Sequence, residues 1–224
     1  MTSARFQFAD YSHIREMQVE LHSKLLKLQS NKDIVTCARH LGLLHKKEII
    51  FNNEYELSVL ADYRVYSYRP HGFNLAELYL RLNRTILTSR YIDLLTRMSV
   101  ARYLLLRIDE VKEQGVLRVT DIFSEDSFTL VDNGLSQTLN KNDAIAAHFV
   151  DLGDYYIQSG AVLPIDYELT RKEEVMRVLV KLTSQYKGET IRITAVDSAK
   201  LARATIFTAI RLGYTSSCES VDTP

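Results

Sequence analysis

The apolar residues of this chain change period near Ala101, and that change limits what it can fold into. Upstream, Ile14, Leu21 and Leu28 recur every seven residues, with Met17 and Leu25 between them. That is one stripe of a helix over about 11–29, with Glu16, Glu20, Lys24 and Lys27 on its wet side. Downstream, "RYLLLRIDEV", "GVLRVTDIF", "SFTLVD", "DAIAAHFVDL" and "DYYIQSGAVLPI" are short apolar runs. Turn residues at 113–115, 132–134, 140–143 and 152–154 separate them. Five short strands with hairpin-like turns predict a small antiparallel barrel or meander over 101–166.

The helical part continues through "NKDIVTCARHLGLL", for which Asp33 is the expected N-cap and Gly42 the stop. "KEIIF" reads as a brief strand or a buried connector. Asn53 stands three residues before Glu56, close to a capping box, and opens a helix running to about Tyr68, ended by Pro70 and Gly72. Asn74 caps the next helix, and "SRYIDLLTRM" is another. After the barrel, "RKEEVMRVLVKLTSQY" is helical and ends at Gly188. "TIRITAV" reads as a strand, and Asp197 is the expected cap of a last helix, "SAKLARATIFTAIRLG". The fold class is α+β: an N-terminal helical layer (1–100), a five-stranded antiparallel barrel or meander (101–166) and a C-terminal helix–strand–helix (167–214). Residues 215–224 form a flexible polar tail. No linker divides the chain, so the parts belong to one compact unit.

Lys plus Arg equals Asp plus Glu, so the net charge is zero. Phosphate-binding surfaces draw on basic excess, which argues against a nucleic-acid role. The barrel sharpens this. Its aromatic residues Tyr103, Phe123, Phe128, Phe149, Tyr155 and Tyr156 suit base stacking, but its acidic residues outnumber its basic ones. The two cysteines, Cys37 and Cys218, lie too far apart in sequence for a zinc motif and do not make a disulfide framework. No signal peptide and no apolar run of membrane-spanning length is visible. The expectation is a cytoplasmic protein, with export by a dedicated secretion system as the alternative.

Motifs of familiar chemistry are missing: no phosphate loop, no dinucleotide fingerprint, no nucleophile elbow and no zinc-protease helix. No metal and no cofactor is expected. His40 and His45 are off the spacing that places two ligands on one helical face. His148 reads as a packing or surface residue of a strand. Asp33, Cys37 and His40 lie near one helical face, but side chains on one helix diverge, and Cys37 reads as a buried structural thiol. The candidate site is the crowded stretch "LADYRVYSYRPHGFN". Asp62, Tyr66 and Arg69 share a side of their helix, with His71 and Asn74 just beyond it. In the plain reading they satisfy one another as a buried network. In the functional reading they form a polar pocket in which Arg69 holds an anion and His71 or Asp62 moves a proton.

The stretch from Asp62 to Asn74 also carries a resemblance. Asp62, Tyr63, Val65, Tyr66, Tyr68, Arg69, Gly72 and Asn74 follow a capped acidic helix and precede a barrel segment, "VTDIFSEDSFTLVDNGLSQTLNKNDAIAAHFVDLGDYYIQSGAVLPI". Over residues 34–165 this resembles a family of uncharacterised bacterial proteins. The resemblance implies a bacterial origin and no known activity. Some such proteins end in a Cys-rich zinc knuckle; here Cys218 stands alone, and that role does not carry over.

With chemistry motifs absent and amphipathic surfaces abundant, the leading expectation is a non-enzymatic protein-interaction or regulatory protein with a protein partner. A homodimer through the first helix is its variant. The alternatives are an enzyme using a polar pocket near Asp62, Arg69 and His71, and a nucleic-acid-associated protein.

Overall fold

The computed structural model describes residues 10–185 and 193–215. Helices α1 (Tyr11–Leu26), α2 (Asn31–Leu41), α3 (Glu54–Tyr66), α4 (Leu75–Asn83) and α5 (Ser89–Ser99) form the N-terminal layer. A two-stranded hairpin, β1 (Leu44–His45) with β2 (Glu48–Ile49), joins α2 to α3. Ile14, Met17, Leu21 and Leu25 of α1 are all buried in the core, while Leu28 of the same stripe is exposed. α3 is buried around most of its circumference, as its sequence predicts for a central helix. It touches α1, α2 and α4.

Local signals placed several helix ends, and three caps differ from expectation. Asn53 and Asn74 cap α3 and α4 by accepting from the backbone N–H of Glu56 and Glu77. α2 starts earlier than expected, because Ser30 is its cap and Asp33 sits at N3, completing a capping box. Gly42 ends α2 in the left-handed region, at φ 78°. Residues 132–134 do not form a turn: Asp132 caps a short helix, α6 (Asn133–Thr138).

The barrel is built from β3 (Arg102–Val111), β4 (Val116–Asp121), β5 (Ser127–Val131), β6 (Ala144–Asp151) and β7 (Tyr156–Gln158). The order runs β3-β4-β5-β7-β6, and β6 pairs back onto β3, closing the sheet. It is not purely antiparallel as expected, because β5 and β7 run parallel with Leu130 opposite Tyr156. This closure, with α6 inserted between the third and fourth strands, is an OB-type arrangement. A sixth strand, β8 (Leu163–Ile165), extends the sheet along β6. Leu104, Leu106, Ile108, Val119, Ile145 and Phe149 fill the interior. Tyr103, Leu105, Ala146 and His148 alternate with them on β3 and β6 and are buried outside the barrel, with the first three in the cluster that the helices share. Those two strands are therefore buried on both faces over much of their length, which explains the continuous run "YLLL".

The C-terminal part contributes α7 (Tyr167–Thr170), α8 (Glu173–Gln185) and α9 (Ala195–Leu212). The cap of α9 is Thr194, with Asp197 at N3 accepting from Thr194 Oγ1 at 2.8 Å. The expected strand "TIRITAV" falls partly outside the described residues, and its last two residues, Ala195 and Val196, open α9. The expected stop at Gly188 and the tail 216–224 lie outside them as well. Thr215, expected in the tail, is buried and donates to Glu56 at 3.0 Å. α9 packs on β3, where Ser198 Oγ accepts from the Tyr103 backbone N–H, and it also touches α2, α3 and α8. One core cluster thus draws Leu41, Tyr63, Tyr103, Leu163, Val175 and Ile206 from all three parts of the chain. Among the described residues, no helix is long and apolar enough to cross a membrane.

Candidate functional site

The stretch expected to hold the site ends α3 against the barrel, but its polar residues look outward to different partners. Asp62 Oδ2 accepts from His148 Nδ1 of β6 at 2.5 Å. The other ring nitrogen, Nε2, meets Ser67 Oγ at 2.6 Å. Ser67 is the C-cap residue of α3, five residues after Asp62, so one imidazole lies along a single turn of the helix and is held at both ends. With Nδ1–H donating to the carboxylate, Nε2 of the neutral ring accepts, and the Ser67 hydroxyl donates to it. All three side chains are buried, at 5%, 1% and 5% exposure for Asp62, His148 and Ser67. Tyr66 stacks on the imidazole at 5.2 Å between centroids, and Tyr103 meets it edge-on at 4.9 Å.

The remaining expected residues do not join this row. Tyr66 Oη is hydrogen-bonded to His22 Nε2 at 2.7 Å and to Gln18 Nε2 at 3.2 Å. Burial drives the His22 pKa down to about 4, with Arg15 and His148 adding to the effect and Asp62 opposing it. The same burial raises the Tyr66 phenol far above its usual range. Arg69 donates to the Ser99 carbonyl at 3.0 Å and stands 3.9 Å from Glu77, and burial lowers its pKa. Asn74 donates to the same Ser99 carbonyl at 3.2 Å, which ties the end of α3 to the end of α5. His71 is exposed and packs against Phe73. Asp62 and His148 lie 86 positions apart, and Ser67 lay unremarked inside the quoted stretch. A helix Asp and Ser five residues apart, facing a strand His, is a pattern that only tertiary structure reveals.

Asp33, Cys37 and His40 do not act together. Asp33 is held by Ser30 and by Tyr68 Oη at 3.0 Å. Cys37 is fully buried, and burial pushes its thiol up to about 12. His40 Nδ1 meets Tyr63 Oη at 3.2 Å. Burial lowers the His40 pKa, and Arg203 and then Arg39 lower it further. Among the described residues, no three His, Cys, Asp or Glu side chains converge as metal ligands.

Those two arginines mark a second feature, a groove of about 430 Å³ between α2, α8 and α9. Val178, Ala204 and Phe207 make its apolar floor. Arg39, Arg177, Lys181, Lys200 and Arg203 stand around it. Its two acids are already paired: Glu174 with Arg211 at 3.1 Å and Asp197 with Lys200 at 2.8 Å. Arg39 and Arg203 are exposed and make no ion pair with a described residue. His40 also lines a neighbouring cleft of similar size, walled by Tyr63, Ser67, Tyr68, Arg69 and Val196. The groove was invisible in sequence, because the charges of α2 and α9 look like ordinary wet faces until the helices are juxtaposed.

Residues 6–194 match the sequence profile of a family described as "Family of unknown function (DUF7986)". The chain belongs to this family. The matched region takes in the whole helical layer and barrel, including Asp62, Ser67 and His148, as well as α8 with Arg177 and Lys181. It stops at Thr194, so α9, which supplies Lys200 and Arg203 to the groove, lies beyond the matched residues. No curated protein and no solved structure matches the chain.

Proposed function

We propose that this chain is a protein-interaction or regulatory protein, of bacterial origin and acting in the cytoplasm, that docks an acidic, partly apolar segment of a partner protein. The observation that carries this reading is the groove between α2, α8 and α9, with its apolar floor and with Arg39 and Arg203, which make no ion pair among the described residues. An apolar floor supplies affinity through burial, and a rim in which basic residues outnumber acidic ones supplies orientation and selection among partners. The floor also argues for protein over nucleic acid. Among the described residues, Phe207 is the one Phe, Tyr or Trp that lines it, and it already packs under the Arg211 guanidinium, 5.4 Å from the ring centre. Single-stranded nucleic acid is bound by successive stacking platforms, which this floor does not offer.

The test is fluorescence anisotropy with a labelled, short amphipathic peptide rich in Glu and Leu. The expected result is saturable binding that weakens with salt and that falls about tenfold or more in the double variant Arg39→Glu/Arg203→Glu, since each reversal replaces an attraction by a repulsion. Equal binding by the variant, or tighter binding of a single-stranded oligonucleotide in the same assay, overturns the reading.

A further inference from the structure

We propose that Ser67 is a nucleophile activated by His148 and Asp62, and that the cleft it lines accepts a carboxylic ester with a small apolar acyl group. This adds an activity to the docking role and departs from the expectation of a non-enzymatic chain. Three observations support it. The first is the row itself: a hydroxyl 2.6 Å from one imidazole nitrogen and a carboxylate 2.5 Å from the other. A nucleophile coupled to a base that a third group orients is the general requirement for activating serine. The second is access. Although Ser67 is largely covered, it lines a cleft of about 430 Å³, while Asp62 and His148 stay behind it. Pro70, Val196 and Ala199 give that cleft its apolar wall. The third is Arg69 on the same cleft. Its Nε is buried and has no hydrogen-bond partner among the described residues.

The location of Ser67 decides which of these groups does what. Ser67 ends a helix, so the carbonyl end of α3 faces it and disfavours a preformed alkoxide. The proton must therefore leave during attack, to a base already in contact. The backbone N–H groups of Ser67 and Tyr68 are both taken by the Tyr63 carbonyl, each at 3.0 Å, so they cannot stabilise an oxyanion. Arg69, with Nη2 held by the Ser99 carbonyl, is left to polarise the substrate carbonyl through the rest of its guanidinium. In the first half-reaction Ser67 Oγ bonds to the carbonyl carbon as its proton passes to His148 Nε2. The ester C–O bond then breaks, and His148 returns that proton to the departing alkoxide, releasing an alcohol. In the second half, water attacks the acyl-serine and gives a proton to His148. The acyl–Oγ bond breaks, Oγ takes the proton back, and a carboxylic acid leaves. Asp62 keeps the ring in register and stabilises the imidazolium in both halves.

The experiment treats the full chain with a fluorophosphonate probe, which phosphonylates activated serines, and maps the adduct by peptide mass spectrometry. The expected result is an adduct on Ser67 in the folded protein, absent after heat denaturation, absent in Ser67→Ala and formed at least tenfold more slowly in Asp62→Asn. Hydrolysis of p-nitrophenyl acetate should fall in the same order. A Ser67→Cys variant gives an independent reading, because a thiol coupled to His148 should react with iodoacetamide faster in the folded than in the unfolded chain. A folded protein that forms no Ser67 adduct overturns the proposal. So does labelling that Asp62→Asn leaves unchanged, or a Ser67→Cys thiol that reacts no faster folded than unfolded.

Discussion

Replacing His148 by Phe tests whether the Asp62–His148–Ser67 row holds the helical layer to the barrel. Phe keeps the ring that stacks on Tyr66 and Tyr103 but removes both nitrogens. Asp62 Oδ1 already lacks a partner among the described residues, so losing His148 strips the carboxylate of its one described hydrogen bond while leaving it buried. Leaving a buried carboxylate without its one described donor costs about 3 kcal/mol or more. Ser67 Oγ loses its acceptor as well, which adds to that cost. A loss of about 4 kcal/mol is roughly a thousandfold in the folded-to-unfolded ratio. The same reasoning makes the double variant Asp62→Leu/His148→Phe more stable than His148→Phe alone, by about 2 kcal/mol, because no stranded carboxylate remains. Guanidinium unfolding followed by circular dichroism measures all four corners of that cycle. A His148→Phe variant within about 1 kcal/mol of the wild type, or single-variant costs that simply add, would refute the reasoning.

Other perturbations follow from the same structure. Burial holds the His22 pKa at about 4, below its ordinary 6.5, so the unfolded chain binds the proton first as pH falls. Stability should therefore drop by up to about 3 kcal/mol between pH 6.5 and 4, with no contribution above that window, and His22→Gln should flatten the slope measured by thermal melts at several pH values. Gly42→Ala puts a Cβ 2.9 Å from the Phe207 ring at a φ of 78°, and should cost about 2 kcal/mol in chemical unfolding while also disturbing the groove floor. Cys37, with its thiol pushed up to about 12 and fully buried, should resist alkylation in the native chain and react only on unfolding, as read by peptide mass mapping.

Features of short range were legible in the sequence. The caps Asn53 and Asn74, the stop at Gly42 and the apolar stripe of α1 each depend on residues a few positions apart. Where two neighbouring residues both suit a cap, the local signal is ambiguous. Ser30 and Asp33 form a reciprocal box, and Thr194 caps α9 while its hydroxyl also donates to Asp197, so in both cases the acid sits three residues after the cap and not at it. The strand runs were readable, but the parallel contact of β5 with β7 and the return of β6 to β3 are set by packing across the barrel. Asp62 and Tyr66 are buried, and their hydrogen-bond partners His148, His22 and Gln18 come from β6 and α1. A helical wheel can say that a carboxylate turns inward, but not which strand meets it. The groove suffers the same limit, because Arg39 and Arg203 come together only when α9 packs on α2.

The docking claim is tested most directly at His40, which stands between the groove and the Ser67 cleft and whose pKa is lowered by burial and by Arg203 and Arg39. Its ring proton can be followed by NMR across a pH titration, with and without the acidic amphipathic peptide. A carboxylate seated between those arginines offsets their field, so saturating peptide should move the His40 midpoint upward. A His40 titration that stays unchanged while the peptide is bound would contradict the account.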